Sequence, residues 1–337
     1  MDKLKIGLIG CGGMMNHHVT GLVTFDDIEI VAVADPHKER TDAMMKRTGA
    51  TRSYASHKDF FAGEDKLDAV YIAVEPTAHD QIEETCIERN WPFLVEKPMT
   101  LDLAQAKSIS EAVQKKGLVT VVGFQDRYLD IVDRVKEELK TMKVGMVYGS
   151  WLGGVPQVWW WMRKDTCGAQ LVEQNIHLVD LLRYFFGEPV SVYAQYGRGL
   201  VSPSEFDVKK QSAAVGYDTD DYSTAVVTFE SGLMANLMSG CFVNNEGHPI
   251  RNGLTIVGRD KSLEYALRDN LCIYTAKQTV KVNREVDQSL LHDRAFLDAV
   301  RSKNPAGVRS PYPDAYKSLR LALAANESME SGQVVKL

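Results

Sequence analysis

At 337 residues the chain has room for two domains, with one large domain as the alternative. Its hydrophobic fraction of 45% and charged fraction of 25% suit a globular enzyme, and a net charge of −6 leaves no basic footprint for nucleic acid. No window holds the roughly eighteen uninterrupted apolar residues of a membrane span, so no membrane partner is expected. The start, Met1-Asp2-Lys3-Leu4-Lys5, is too short and polar for a secretory signal before the first strand begins. Five scattered cysteines (Cys11, Cys86, Cys167, Cys241, Cys272) lack CxxC spacing, which argues against a disulfide framework and a structural zinc site and for the reduced cytoplasm.

Strand and helix patterns alternate through the first third. Residues 4–9 form a short apolar run that ends in Gly10-Cys11-Gly12-Gly13, and residues 14–23 read as a helix. A second strand over 28–34 stops at Asp35-Pro36, and a helix follows over 38–48. Short strands are expected at 51–54, 68–74, 92–95 and 118–122, with helices over 77–89 and 101–116. Strands alternating with helices of this length predict a parallel sheet with right-handed crossovers. Six of them suit a doubly wound order 3-2-1-4-5-6. After Gly123 the texture changes. Helices are expected at 130–141 and within 167–186, the latter stopped by Gly187-Glu188-Pro189. Strands at 190–196, 222–230, 233–241, 254–258 and 280–283 follow one another without intervening helices, which predicts an antiparallel sheet. Helices over 290–303 and 313–330 close the chain.

Gly10, Gly12 and Gly13 sit between a strand and a helix, where small residues let the backbone approach a pyrophosphate and a helix N-terminus offers free N–H groups. Met14 and Met15 open that helix, and Met15 stands where a third small residue is usual. On the glycines alone, a tight turn without a ligand is the alternative. Asp35 lies at the end of the second strand, about twenty residues on, where a carboxylate accepts from ribose hydroxyls and repels a 2′-phosphate. An N-cap or turn role before Pro36 is its alternative. NAD is thus favoured over NADP, although His37, Lys38 and Arg40 follow and offer positive charge to a phosphate.

Glu96-Lys97-Pro98 ends the fifth strand, and ligands in open parallel sheets bind beyond the carboxyl ends of strands. Lys97 is therefore expected beside a nicotinamide, with Glu75, Pro76 and His79 after the fourth strand as further cofactor-side residues. Glu173 and His177 are spaced i,i+4 and His177 and Asp180 i,i+3, so on one continuous helix all three share a stripe. Imidazole suits proton transfer near neutral pH, and a neighbouring carboxylate orients it. The alternative is an amphipathic helix that Glu173 and His177 merely brace, with Leu171, Ile176, Leu178 and Leu181 in the core. No HExxH occurs, and no catalytic metal is expected. Trp160, within Trp159-Trp160-Trp161, is a candidate floor for a sugar or cyclitol ring, or a packing residue. Arg127 is a candidate substrate ligand, or half of a structural salt bridge.

Together Gly10-Cys11-Gly12-Gly13, Asp35, Glu96-Lys97-Pro98 and the segment from Cys167 through Glu173 and His177 to Asp180 resemble the Gfo/Idh/MocA oxidoreductases. The resemblance runs essentially end to end. It implies a Rossmann domain, here 1–123, followed over 124–337 by an α+β substrate-binding and oligomerisation domain with a large, mostly antiparallel sheet. It further implies sugar or cyclitol substrates and homodimers or homotetramers built on the open sheet face. The family's lysine falls on Lys97, its helix histidine on His177, and its neighbouring acidic position, often Asp, on Glu173. The expected activity is NAD-dependent hydride transfer from a secondary alcohol of a sugar, cyclitol or glycoside. His177 acts as base, Lys97 stabilises charge, and Glu173 orients one of them; Lys97 as the proton carrier is the other possibility. A glycoside-cleaving enzyme that oxidises transiently and a catalytically silent sugar or NAD sensor are the rival readings.

Overall fold

The computed structural model describes residues 2–201, 216–243 and 250–337. The chain folds into two compact units, Met1–Tyr128 with Asp287–Tyr316 and Leu129–Val286 with Lys317–Leu337. Among the described residues there are two sheets, one of six strands and one of nine.

In the first unit the six strands are β1 (Leu4–Ile9), β2 (Ile28–Ala34), β3 (Arg52–Tyr54), β4 (Ala69–Ile72), β5 (Phe93–Val95) and β6 (Thr120–Val122). Their order is β3-β2-β1-β4-β5-β6, and every pairing is parallel, as the alternation of elements predicts. The helices between them are α1 (Gly13–Leu22), α2 (Lys38–Thr48), α3 (His57–Gly63), α4 (Ile82–Glu88) and α5 (Leu103–Lys116). Every residue of β4, β5 and β6 is buried, which is why these strands read as continuous apolar runs. Helix α5 shows local sequence chemistry at both ends. Asp102 accepts from the N–H groups of Ala104 (2.8 Å) and Gln105 (3.2 Å), and Gly117 closes the helix at φ 62°.

The second unit contains α6 (Asp130–Leu139), β7 (Val144–Leu152), α7 (Lys164–Cys167), α8 (Ala169–Glu173) and α9 (Ile176–Phe186). Strands β8 (Pro189–Gly197), β9 (Tyr222–Phe229), β10 (Met234–Gly240), β11 (Gly253–Gly258), β12 (Lys261–Ala266), β13 (Asn270–Thr275) and β14 (Thr279–Asn283) follow. Then come α10 (Gln288–Ser302), α11 (Tyr312–Ser331) and β15 (Val335–Lys336). The sheet order is β14-β13-β12-β11-β7-β10-β9-β8-β15, antiparallel except where β7 runs parallel to β10. Strand β9 alternates strictly, with Ser223, Ala225, Val227 and Phe229 buried and Tyr222, Thr224 and Val226 exposed. Period-two burial of this kind marks a sheet with one covered face.

Two features depart from the sequence expectation. Glu173 and His177, expected on one helix, stand on two, α8 and α9, for reasons given below. Residues Asp287–Tyr316, which follow the antiparallel strands in sequence, are compact with the first unit. The cause is apolar burial. Phe296, Leu297, Ala299 and Val300 of α10 join Met15, Val19 and Leu22 of α1 in one core cluster.

Candidate active site

The cofactor side belongs to the first unit. Gly10 has φ 85°, and a Cβ there would lie 2.2 Å from the Ala73 carbonyl oxygen, so only glycine lets the loop pass the end of β4. A Cβ at Gly12 or Gly13 would meet nothing within 4 Å, so the outer side of the loop is open. Gly12 caps α1 without any side-chain hydrogen bond, leaving the first N–H groups for an anion. This cradle fits a dinucleotide pyrophosphate. Met14 is exposed, whereas the Met15 side chain is wholly buried in the core, which leaves Met15 only its backbone for a cofactor.

Asp35 is 5% exposed and holds the glycine loop. Its Oδ2 accepts from Cys11 N (2.9 Å), and its Oδ1 accepts from His37 N (2.9 Å). Oδ2 keeps a lone pair for a further donor. His37 Nδ1 lies 3.1 Å from Oδ1, and Arg40 approaches to 3.9 Å. The buried Cys11 thiol beside it is pushed up to about 12 by desolvation and by the Asp35 charge, so it is inert.

Past β4, burial raises the Glu75 carboxyl against the lowering effect of Arg40 and His37. Pro76 is buried. His79 is 3% exposed, and its Nδ1 lies 2.5 Å from Glu83 Oε1, so its ring braces the turn into α4. Lys97 is half-buried after β5, and the Lys97–Pro98 peptide is cis. Glu96 is buried, with Oε1 3.0 Å from His18 Nε2 and Oε2 accepting from Lys97 N (3.2 Å). Arg127 lies in the turn Gln125–Tyr128 after β6. Its guanidinium is 3% exposed, donates to the Arg309 carbonyl (2.5 Å) and pairs with Asp314 (2.6 Å). The salt bridge that the sequence offered as one of two readings is therefore present.

The proton-transfer candidates belong to the second unit. Glu173 ends α8, His177 sits in the first turn of α9, and Gln174 and Asn175 separate the two helices. The expected single stripe therefore breaks between Glu173 and His177. Two buried amides impose the break. Gln170 Nε2 donates to the carbonyls of Gly240 (2.8 Å) and Trp151 (3.3 Å), while Asn175 Nδ2 donates to Ser239 Oγ (2.5 Å) and the Met238 carbonyl (3.2 Å). These bonds to β7 and β10 outweigh continuation of one helix. Asp180 remains on α9 one turn after His177 and accepts from Ser318 Oγ (2.7 Å), an anchor for the helix.

His177 is 4% exposed and stacks on Trp151, with centroids 5.8 Å apart and planes at 28°. Arg268 lies over the same indole at 5.3 Å. Sequence reasoning missed Trp151 and Arg268, since neither carries a local motif. Trp160 is partly buried and flanks a cluster of Val155, Trp161, Met162, Cys167 and Cys241, so packing accounts for much of its surface. Among the described residues no cluster of three or more His, Cys, Asp or Glu is placed to hold a metal.

Comparisons with known proteins agree with this construction. A family model described as an oxidoreductase family, NAD-binding Rossmann fold, matches residues 4–124, and one described as its C-terminal alpha/beta domain matches 136–337. The chain is 22% identical over 356 residues to myo-inositol 2-dehydrogenase of Thermotoga maritima, covering 99% of this chain and 98% of that protein. It is 24% identical over 349 residues to scyllo-inositol 2-dehydrogenase (NAD(+)) of Bacillus subtilis, covering 99% and 96%. Among solved structures, levoglucosan dehydrogenase in complex with NADH and levoglucosan superposes with a TM-score of 0.85 at 18% identity, covering 99% of each chain. With both halves matched and the nucleotide loop built as required, the chain belongs to the Gfo/Idh/MocA oxidoreductase family, and its N-terminal domain is an NAD-binding Rossmann domain.

Proposed function

We propose that the protein oxidises a secondary alcohol of a cyclitol or sugar with NAD, inositols being the first substrates to test. The observation that carries this reading is the end-to-end likeness to two inositol 2-dehydrogenases in a chain that has both Lys97 and His177. NAD bound at the glycine loop supplies the hydride acceptor. His177 takes the hydroxyl proton, a role suited to an imidazole that the Trp151 face holds in orientation. Lys97 holds positive charge toward the oxygen that becomes negative. Glu173 assists by orienting one of these groups. NAD is preferred to NADP because the Asp35 carboxylate meets the ribose. The test is a screen of inositols, sugars and glycosides with each cofactor, following the absorbance of reduced nicotinamide. Net reduction of NAD by a polyol supports the reading. Turnover of a glycoside with no net reduced cofactor would replace it with transient oxidation and elimination.

We further propose a homodimer or homotetramer in the cytoplasm, joined through the open face of the nine-stranded sheet. Register sets Tyr148, Asn236 and Val226 side by side on three neighbouring strands. Met146 and Met234 are more than half exposed on that sheet, and Tyr148 and Val226 are exposed with them, apolar groups that a partner's sheet would cover. Sedimentation of the wild type and of Val226→Arg tests this. The wild type should be oligomeric and the variant dissociated, and a monomeric wild type would end the proposal. No helix among the described residues is long and apolar enough to cross a membrane.

A further inference from the structure

A buried side-chain cluster in the first unit joins the glycine-loop helix to the segment that carries Lys97. His18, on α1, is 3% exposed. Its Nδ1 lies 2.8 Å from Asp293 Oδ1 on α10, and its Nε2 lies 3.0 Å from Glu96 Oε1. An ionised carboxylate only accepts, so satisfying both contacts requires a proton on each ring nitrogen. The other oxygen of Glu96 accepts from Lys97 N at 3.2 Å. Gly123 lies against the same carboxylate, where a Cβ would fall 2.5 Å from Oε1.

Two rings also flank the imidazole. Tyr71 meets it edge-on at 5.6 Å, and His292 lies 6.4 Å away. His292 Nε2 donates to the Val122 carbonyl (3.1 Å), and its Nδ1 is 3.9 Å from Asp293 Oδ1. Burial depresses the His18 imidazole, yet Asp293 and Glu96 outweigh it and raise it to about 10. Burial pushes the Glu96 carboxyl up, while His18 and then Lys97 hold it below its ordinary value. Charged clusters in an interior cost desolvation, and apolar side chains of equal volume often serve stability as well. What apolar packing does not supply is a directional hold on one carboxylate.

We propose that His18 and Asp293 are positioning residues that clamp Glu96 and through it fix the peptide of Lys97, linking the nucleotide loop to the lysine. The proposal rests on the reading of Lys97 as the charge partner in turnover. Its test does not depend on turnover. Competitive acetylation of Lys97, read by peptide mass spectrometry on the full chain with and without NAD, compares the wild type with His18→Gln and Asp293→Asn. Lys97 reactivity should change by at least about threefold in both variants, the scale of coupling within one hydrogen-bond network. Exposed Lys38 should not change. A role in stability alone would lower the urea midpoint and leave the reactivity of folded Lys97 unaltered. Nitrogen NMR of histidine-labelled wild type should show a doubly protonated ring for His18 at pH 8, and this measurement needs no variant. A neutral His18 at pH 8, or unchanged Lys97 reactivity in both variants, overturns the clamp. If Lys97→Ala loses turnover while the labelling is unchanged, the clamp fails and the dehydrogenase reading stands. If Lys97→Ala keeps full turnover, the role of Lys97 fails whatever the labelling shows.

Discussion

Asp35 receives the Cys11 and His37 N–H groups, and the proposed ribose contact falls to the remaining lone pair of Oδ2. Asp35→Ser should therefore weaken NAD by about tenfold or more, the worth of a hydrogen bond to a charged group. It should also lower the urea midpoint, because two peptide donors lose their acceptor. Fluorescence titration with NAD and NADP checks the first effect, and wild-type protein that prefers NADP would refute the assignment. For turnover, His177→Ala and Lys97→Ala should each reduce kcat by at least about a hundredfold, the scale of a lost general base or charge stabiliser. Their NAD dissociation constants should barely move. His18 adds a pH dependence of stability whose sign follows from its raised value. A group raised from 6.5 to about 10 contributes fully below 6.5, and the contribution fades as pH rises through 10. The urea midpoint of the wild type should thus fall between pH 7 and 10 more steeply than that of His18→Gln. Parallel slopes would show that His18 is not charged in the fold.

The decisive departure among the elements is the break between α8 and α9. Spacing at i,i+4 is a local signal, but the partner of Gln170 lies seventy positions away in β10. No local rule sees that bond, so Glu173 and His177 read as one stripe when they stand on two helices. Asn175→Ala would leave Ser239 and the Met238 carbonyl buried without their donor. It should cost about 1–3 kcal/mol in urea unfolding, the penalty of an unsatisfied buried polar group. It should also lower kcat more than it raises KM, because the lost bonds tie the start of the His177 helix to β10. The same contrast governs β6. Its apolar run is legible, yet the need for glycine directly after it arises only from the Glu96 carboxylate packed against Gly123.

For the whole molecule, the chain's return to its first unit matters most. Helix α10 buries His292, Asp293, Phe296 and Leu297, and the core it completes includes Met15, Val19 and Leu22. A fragment ending at residue 123 lacks that surface. It should show no cooperative urea transition by near-ultraviolet circular dichroism, and a sharp two-state transition would contradict this reading. The sequence by itself determined the parallel sheet, its strand order and the glycine loop, and it marked Asp35, Lys97 and His177 as candidates. All of these rest on short-range signals: apolar periodicity, a turn that needs glycine, a fixed offset from loop to carboxylate. Only the tertiary structure decided that Arg127 pairs with Asp314, that Trp151 faces His177, and that His18 bridges Asp293 and Glu96. Asp293 lies 275 positions from His18, and a contact of that span leaves no periodicity to read. It comes from burial, which brings donors and acceptors together only after the apolar core has set the helices that carry them.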